Sequence, residues 1–215
     1  GYEKALASFK RSKRNLPLLS CYLIHFPGAN ESRQNPVKNK CLRKETWQAL
    51  EEVSSVPPSS SSSGNVLVGL SNFKRRHLKE ILSYATTKPA AGSLELHPYL
   101  QEEELVKLYR DKGIRLFAHS PLGHGSLGLL GDSRTLSLAE KYKITPAQVV
   151  LKWHLQKGFL PIAASKSRDR LRENLAISKA ASQGRAEIEF DVKDMNILAS
   201  MEKNARCGFD PNLIA

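Results

Sequence analysis

The chain has 215 residues, 40% of them hydrophobic, and 33 basic against 21 acidic side chains give a formal net charge of +12. That length supports one sizeable core that removes about 70% of the unfolded surface from water, so a single domain over residues 1–215 is expected. No run approaches the ~18 consecutive apolar residues of a membrane helix, and no basic start leads into an apolar targeting segment, so a soluble, cytoplasmic protein is expected.

The three cysteines, Cys21, Cys41 and Cys207, are odd in number and far apart. Reduced thiols are expected, with neither a disulfide framework nor a metal site. Lys10-Arg11, Lys13-Arg14 and Lys74-Arg75-Arg76 form basic clusters that could meet phosphates. Aromatic residues make up only 7%, and no helix-turn-helix, zinc-finger or stacking signature accompanies the charge, which favours solvated basic faces or a small anionic cofactor over nucleic acid. The sequence opens on Gly1 and its first methionine is Met195, so the expectation is that Gly1 is not a native translation start.

In chain order, Tyr2 falls in a helical segment, and the apolar run Leu18 to Ile24 reads as a strand ending at His25, before Pro27 and Gly28. By itself His25 is a core histidine, a surface residue at a strand tip, or a proton donor. ETWQALEEV (45–53) reads as a helix. The Ser/Pro-rich stretch 54–65 that follows should be an exposed flexible insert, because it has nothing to bury. Val66 to Leu70 is a strand ending at Ser71-Asn72, and Ser93 to Leu96 a weaker one ending at His97-Pro98. Residues 101–112 carry Glu102 to Glu104 in their first turn and stop at Gly113, as a helix with a favourable dipole does. Ile114 to Ala118 is a strand ending at His119-Ser120-Pro121. Thr145-Pro146-Ala147-Gln148 supplies a cap, a first-turn proline and a capping-box glutamine for a helix that Gly158 terminates. Phe159 to Ala163 is a strand ending at Ser165-Lys166, a helix starts near Arg168, and another spans Asp191 to Lys203. Strand alternating with helix predicts an α/β fold with a parallel sheet, whose ligands sit beyond the carboxyl ends of the strands.

Two stretches could hold a nucleotide phosphate. GHGSLG (123–128) matches G-x-G-x-x-G, the phosphate turn of a Rossmann dehydrogenase, but Ser120-Pro121-Leu122 separates it from its strand and Gly131 follows, so a loop is favoured. In ASKSRDRLREN (164–174) a strand ends, Ser165, Lys166 and Ser167 offer hydroxyls and a cation, and a helix opens with Arg170 on its first turn. Free N–H groups, the helix dipole and a guanidinium fork make such a start an anion site. An ordinary basic helix start capped by Ser167 is the alternative.

YLIHFP (22–27), ETWQALEE (45–52), VGLSNF (68–73), HLKEIL (77–82), ELHPYLQEEELV (95–106), AHSPLG (118–123), TPAQVVLKWHLQKG (145–158) and SRDRLREN (167–174), taken together and in order, resemble the aldo-keto reductases. These are NADPH-dependent (β/α)8 TIM-barrel enzymes that reduce aldehydes and ketones to alcohols. The resemblance implies that His25 orients the substrate carbonyl and that Phe26 replaces a pocket tryptophan. Ser71, Asn72 and Ser93 would hold the nicotinamide carboxamide, with Ser93 standing where the family has glutamine. His119 would stack on the nicotinamide, and Ser120 and Leu122 would touch the pyrophosphate. Ser165, Lys166, Ser167 and Arg170 would grip the 2′-phosphate, and Asn174 would lie near the adenine. Ala164 takes the place of a family lysine. The family's donor tyrosine, with its lysine and aspartate, precedes YLIHFP and has no match here. The barrel is therefore expected to be incomplete, the first strands missing, with the chain corresponding to the C-terminal two-thirds of the family. An incomplete sheet would leave an edge that a partner strand can pair with. A catalytically inactive fragment that binds the cofactor or a polyanion is the second functional expectation.

Overall fold

The computed structural model describes residues 1–29, 33–55, 65–179 and 188–215. Most of the Ser/Pro-rich insert expected at 54–65 therefore lies outside the described residues. The chain divides into two compact units, the first formed by Gly1–Ser93, Lys107–Arg115 and Asp210–Ala215, the second by Leu94–Val106 and Leu116–Phe209.

The first unit begins with α1 (Tyr2–Asn15), which buries none of its residues and packs on α2 (Pro36–Ser55). Between them runs β1 (Cys21–Ile24), three residues shorter at its start than the apolar run suggests. Helix α2 starts well before the expected residue 45. Its entry is marked by Asn35, whose side chain accepts from the Lys38 N–H at 2.9 Å, with Pro36 at the first helical position. The early turns escape an apolar-periodicity reading because the residues they bury, Asn39 and Arg43, are polar. Arg43 is 6% exposed and forks onto Glu80 at 2.8 and 2.7 Å while donating to the Pro27 carbonyl at 2.9 Å. Trp47, Ala49, Leu50 and Val53 supply the apolar face further along.

Strand β2 (Leu67–Ser71) pairs parallel with β1 from Cys21↔Leu67 to Ile24↔Leu70, and with β3 (Ala91–Glu95) at Gly69↔Ala91, Leu70↔Gly92 and Ser71↔Ser93. Gly69 is obligatory: a Cβ built on it would lie 2.1 Å from the Ala91 carbonyl oxygen. Between β2 and β3 comes α3 (Arg75–Tyr84), which buries Leu78 and Ile81. After β3, α4 (Glu103–Asp111) carries its acids in the first turn as expected. In the first unit it contributes Tyr109, whose hydroxyl donates to the Phe73 carbonyl at 2.8 Å.

In the second unit β4 (Arg115–His119) pairs parallel with β5 (Leu160–Ile162) at Phe117↔Leu160, Ala118↔Pro161 and His119↔Ile162. GHGSLG forms no phosphate turn opening a helix. It holds a single 3-10 turn at Gly123–Gly125, and another follows at Leu129–Gly131. The next α-helix is α5 (Ser133–Tyr142). Helix α6 (Pro146–Gln156) has the expected capping box: the Gln148 N–H donates to Thr145 Oγ1 at 3.2 Å, and the Thr145 N–H donates to Gln148 Oε1 at 3.1 Å. It packs on α5, β5 and α7 (Arg168–Lys179), and the Gln148 side chain donates to the Glu173 carbonyl at 2.9 Å. The last helix, α8 (Val192–Ala199), is capped by Asp191 and ends four residues before Lys203. The α/β class with parallel strands is as the sequence predicts.

Each unit contains a deeply buried histidine that must stay neutral. His154 in α6 is fully buried, its ring nitrogens 2.7 Å from the Val150 carbonyl and 2.8 Å from the Leu96 carbonyl. Burial outweighs both carbonyls and pushes it down to about 4. His77 in α3 is likewise driven to about 4, by burial against the pull of the Ile214 carbonyl, with the Arg43 and Arg76 cations adding to the effect. The unfolded chain holds histidine near its ordinary 6.5 and so binds more protons than the folded chain between that value and about 4. Stability should therefore be full above that window and fall as pH drops through it, by up to ~1.4 kcal/mol per pH unit for each histidine. Urea unfolding followed from about pH 7 to about pH 4.5 measures this; a midpoint that does not move would show that neither ring resists protonation.

Candidate functional site

In the first unit the expected site residues lie at adjacent strand tips. His25 follows β1 directly and is exposed, and Phe26 meets it edge-on with ring centroids 6.2 Å apart at 82°. Asn72 follows β2 in the left-handed region, φ 65°, which asparagine tolerates better than most residues. From that turn its backbone N–H donates to the Ser93 carbonyl at 2.8 Å, and its side-chain nitrogen donates to the His25 carbonyl at 3.0 Å and to Ser71 Oγ at 3.2 Å. One buried side chain thus ties the tip of β2 to that of β1, and its backbone ties it to β3. Ser71, Asn72 and Ser93 are all buried. His25, Ser71, Asn72 and Ser93 are therefore brought together, as the sequence leads one to expect of polar residues ending neighbouring parallel strands.

In the second unit Ser120, Leu122, Ser165, Arg170 and Asn174 line one cavity of about 480 Å³, within the size range of small-molecule sites. His119 ends β4 and its Nδ1 lies 3.2 Å from Ser120 Oγ. Ser120 sits at φ 52°. Lys166 is exposed, and neither it nor Ser167 belongs to the cavity wall. Ser167 caps α7 instead, accepting weakly from the Arg170 N–H at 3.4 Å, and its own N–H donates to Ser165 Oγ at 3.1 Å. Thus the helix start is both an ordinary capped start and the floor of a cavity.

The electrostatics of that cavity suit an anion. Arg170 makes no ion pair among the described residues, and the one acid in the first turn of α7, Asp169, is occupied by Arg172 at 3.2 Å. Glu173 also lines the cavity, its carboxylate accepting a hydrogen bond from the Thr145 hydroxyl. Sequence reasoning missed His124. It stands at φ 51° inside GHGSLG, lines the same cavity, and its Nε2 is 2.9 Å from Ser120 Oγ. The signal was a histidine in the loop directly after a site strand, hidden by the attention its glycines draw.

A phosphate-bearing cofactor fits the guanidinium of Arg170, which has no ion pair among the described residues, the two hydroxyls and the helix N-terminus that line one cavity, with the Glu173 carboxylate on the same wall opposing an anion. No helix of the described residues is long and apolar enough to cross a membrane. Residues 2–189 match the family described as "Aldo/keto reductase family". That match begins at residue 2 and gives no support to assigning the chain to the last two-thirds of the family. The chain is 34% identical over 215 residues to the glyoxal reductase of Bacillus subtilis, covering 99% of this chain and 68% of that protein. It is 34% identical over 209 residues to human aldo-keto reductase family 1 member A1, covering 89% of this chain and 60% of the relative. Among solved structures, that of a Gox0644 point mutant in complex with NADPH superposes with a TM-score of 0.81 at 35% identity, covering 99% of this chain and 70% of that one. The chain thus spans about two thirds of the length of the Bacillus and Gox0644 proteins. It belongs to the aldo/keto reductase family, a family of oxidoreductases.

Proposed function

We propose that the chain forms part of a (β/α)8 barrel that reduces aldehydes and ketones with NADPH. The observation that carries this reading is the cavity in which Arg170 and Ser165 meet at the start of α7. NADPH supplies the hydride when bound. Arg170 and Ser165 hold its 2′-phosphate, with Ser167 capping the helix that carries Arg170 and the exposed Lys166 outside the cavity wall; Asn174 lies by the adenine, and Ser120 and Leu122 contact the pyrophosphate. Ser71, Asn72 and Ser93 take the carboxamide, His119 stacks on the ring, His25 orients the substrate carbonyl, and Phe26 walls the pocket. The family's proton-donating tyrosine is absent from these residues. The NADPH complex of the Gox0644 mutant supports the cofactor, since it shares 35% identity over 99% of this chain.

Titrating NADPH by its fluorescence tests this. Arg170→Ala should weaken NADPH by about 10- to 100-fold, the worth of charge-assisted hydrogen bonds, and leave NADH, which lacks the 2′-phosphate, unchanged. Equal affinity of wild type and variant for NADPH would refute the assignment of Arg170. The +12 charge favours one second reading, an inactive fragment that binds polyanions. RNA binding that weakens steeply with salt and ignores Arg170→Ala, with no NADPH binding, would favour it.

A further inference from the structure

Glu95 closes β3 and His97 follows two residues later, so the two-residue period of extended chain turns both side chains to one face. Both are buried, Glu95 at 4% and His97 at 0% exposure. A third group arrives from the far end of the same unit. The Cys207 and Gly208 N–H groups donate to the two Glu95 carboxylate oxygens at 2.7 and 3.1 Å. The preceding residues are anchored as well: the Lys203 and Ala205 N–H groups donate to the Tyr99 carbonyl at 3.2 and 3.0 Å, and Arg206 pairs with Glu102.

A carboxylate oxygen, an imidazole nitrogen and the Cys207 sulfur consequently lie within 4.8 Å of one another, the one such grouping among the described residues. The His97 ring is incompletely satisfied. Its Nε2 is 3.3 Å from Glu95 Oε1, but Nδ1 is buried without a hydrogen-bond partner among the described residues. A buried histidine is normally satisfied at both nitrogens, and an unmade bond of this kind marks the place of a further partner, a water or an ion.

We propose that Glu95, His97 and Cys207 bind one divalent ion of the Zn²⁺ class, with water completing a four-coordinate site. Carboxylate, imidazole and thiolate are the three ligand types zinc takes, at about 2.0–2.3 Å. Tetrahedral bonds of that length set donors roughly 3.5 Å apart, so the three groups need to close by about one ångström. Hard ions such as Ca²⁺ and Mg²⁺ take all-oxygen shells instead. Glu95 has room for the ion: an ionised carboxylate offers about four lone-pair sites, the two N–H groups use two while fixing its orientation, and His97 Nε2 faces a third, which leaves one. Binding exchanges the Cys207 thiol proton for the metal–sulfur bond, and that proton leaves to solvent. No oxidation state changes. The site stands independently of the cofactor reading, and its structural effect is to clamp residues 203–208 onto the end of β3.

Cobalt titration of the reduced, chelator-stripped full chain tests it. One equivalent of Co²⁺ should bind with a near-ultraviolet thiolate-to-cobalt charge-transfer band. Zn²⁺ should displace the cobalt, and Zn²⁺ alone should raise the thermal midpoint. Cys207→Ser should abolish the band. The Cys21→Ser/Cys41→Ser double variant, which leaves Cys207 as the sole thiol, should keep it. Absence of the band in the wild type or the double variant, or its survival in Cys207→Ser, would overturn the proposal.

Discussion

Mixed with NADPH and a reactive aldehyde, these 215 residues are expected to turn over about 10²- to 10⁴-fold more slowly than the glyoxal reductase of Bacillus subtilis, the usual worth of a general acid. The expectation rests on the reading of His25 proposed above and on what the chain's six tyrosines are doing. Tyr109 donates to the Phe73 carbonyl, Tyr99 to Asp132, Tyr142 to Asp194, Tyr84 to Glu80 and Tyr2 to Glu52. Tyr22 packs edge-on against Phe9. A donor tyrosine needs its proton loosened toward neutral pH by a cation, and the tyrosines with acceptors here are shifted the other way. Burial, then Asp132, raises Tyr99 to about 12. The hydrogen bond to Asp194 raises Tyr142, and burial raises Tyr84 and Tyr109. Following NADPH oxidation by its absorbance gives the answer; a rate within about tenfold of that relative, a smaller deficit than the loss of a general acid causes, would mean that one of these six, or another group, serves as the acid.

Trp47→Ala should cost the first unit about 3–5 kcal/mol, a large share of the 5–15 kcal/mol that separates a folded domain from its unfolded chain. Trp47 is 0% exposed in α2, so truncation leaves a cavity that a helix pinned at Arg43 cannot close. Its indole N–H also donates to Glu51 Oε1 at 3.1 Å, and the same oxygen accepts the Thr86 and Thr87 N–H groups at 2.6 and 2.8 Å. Trp153 in the second unit is equally deep at 1% exposure, but its indole N–H has no hydrogen-bond partner among the described residues. Replacement by phenylalanine should therefore be milder at 153 than at 47, since only at 47 does it break a hydrogen bond. Denaturant midpoints of the two Trp→Phe variants decide this; a Trp153→Phe loss as large as that of Trp47→Phe would contradict it.

The elements that were legible are those whose local chemistry states its purpose. Thr145-Pro146-Ala147-Gln148 spells out its cap, and α6 begins where those four residues place it. The strands near 21, 67, 91, 115 and 160 are legible as short apolar runs that end in polar residues, although only β3 is buried along its whole length, and those polar ends flag Asn72 and Ser120. Helix α5 was not foreseen: Leu138 and Ala139 form a thin buried face while Leu136 points outward, so no stripe stands out. The start of α2 was lost because Arg43 is buried through its partners, not through its own composition. Glu95 and Cys207 are 112 positions apart, and no spacing rule brings them together. Ser167 and Lys166 are adjacent to Arg170 in sequence, but the turn into α7 directs Ser167 to the helix backbone and leaves Lys166 exposed.

Gly69 sets a dimension it does not itself occupy. A backbone oxygen fills the place where any side chain at that position would begin, so β2 and β3 approach as closely as their main chains allow, and two residues onward Ser71 and Ser93 face one another across that gap. An alanine there would pry the pair apart and widen the spacing of two hydroxyl-bearing tips without altering either serine. The gauge of this polar rim is held by the one residue beneath it that brings nothing but backbone.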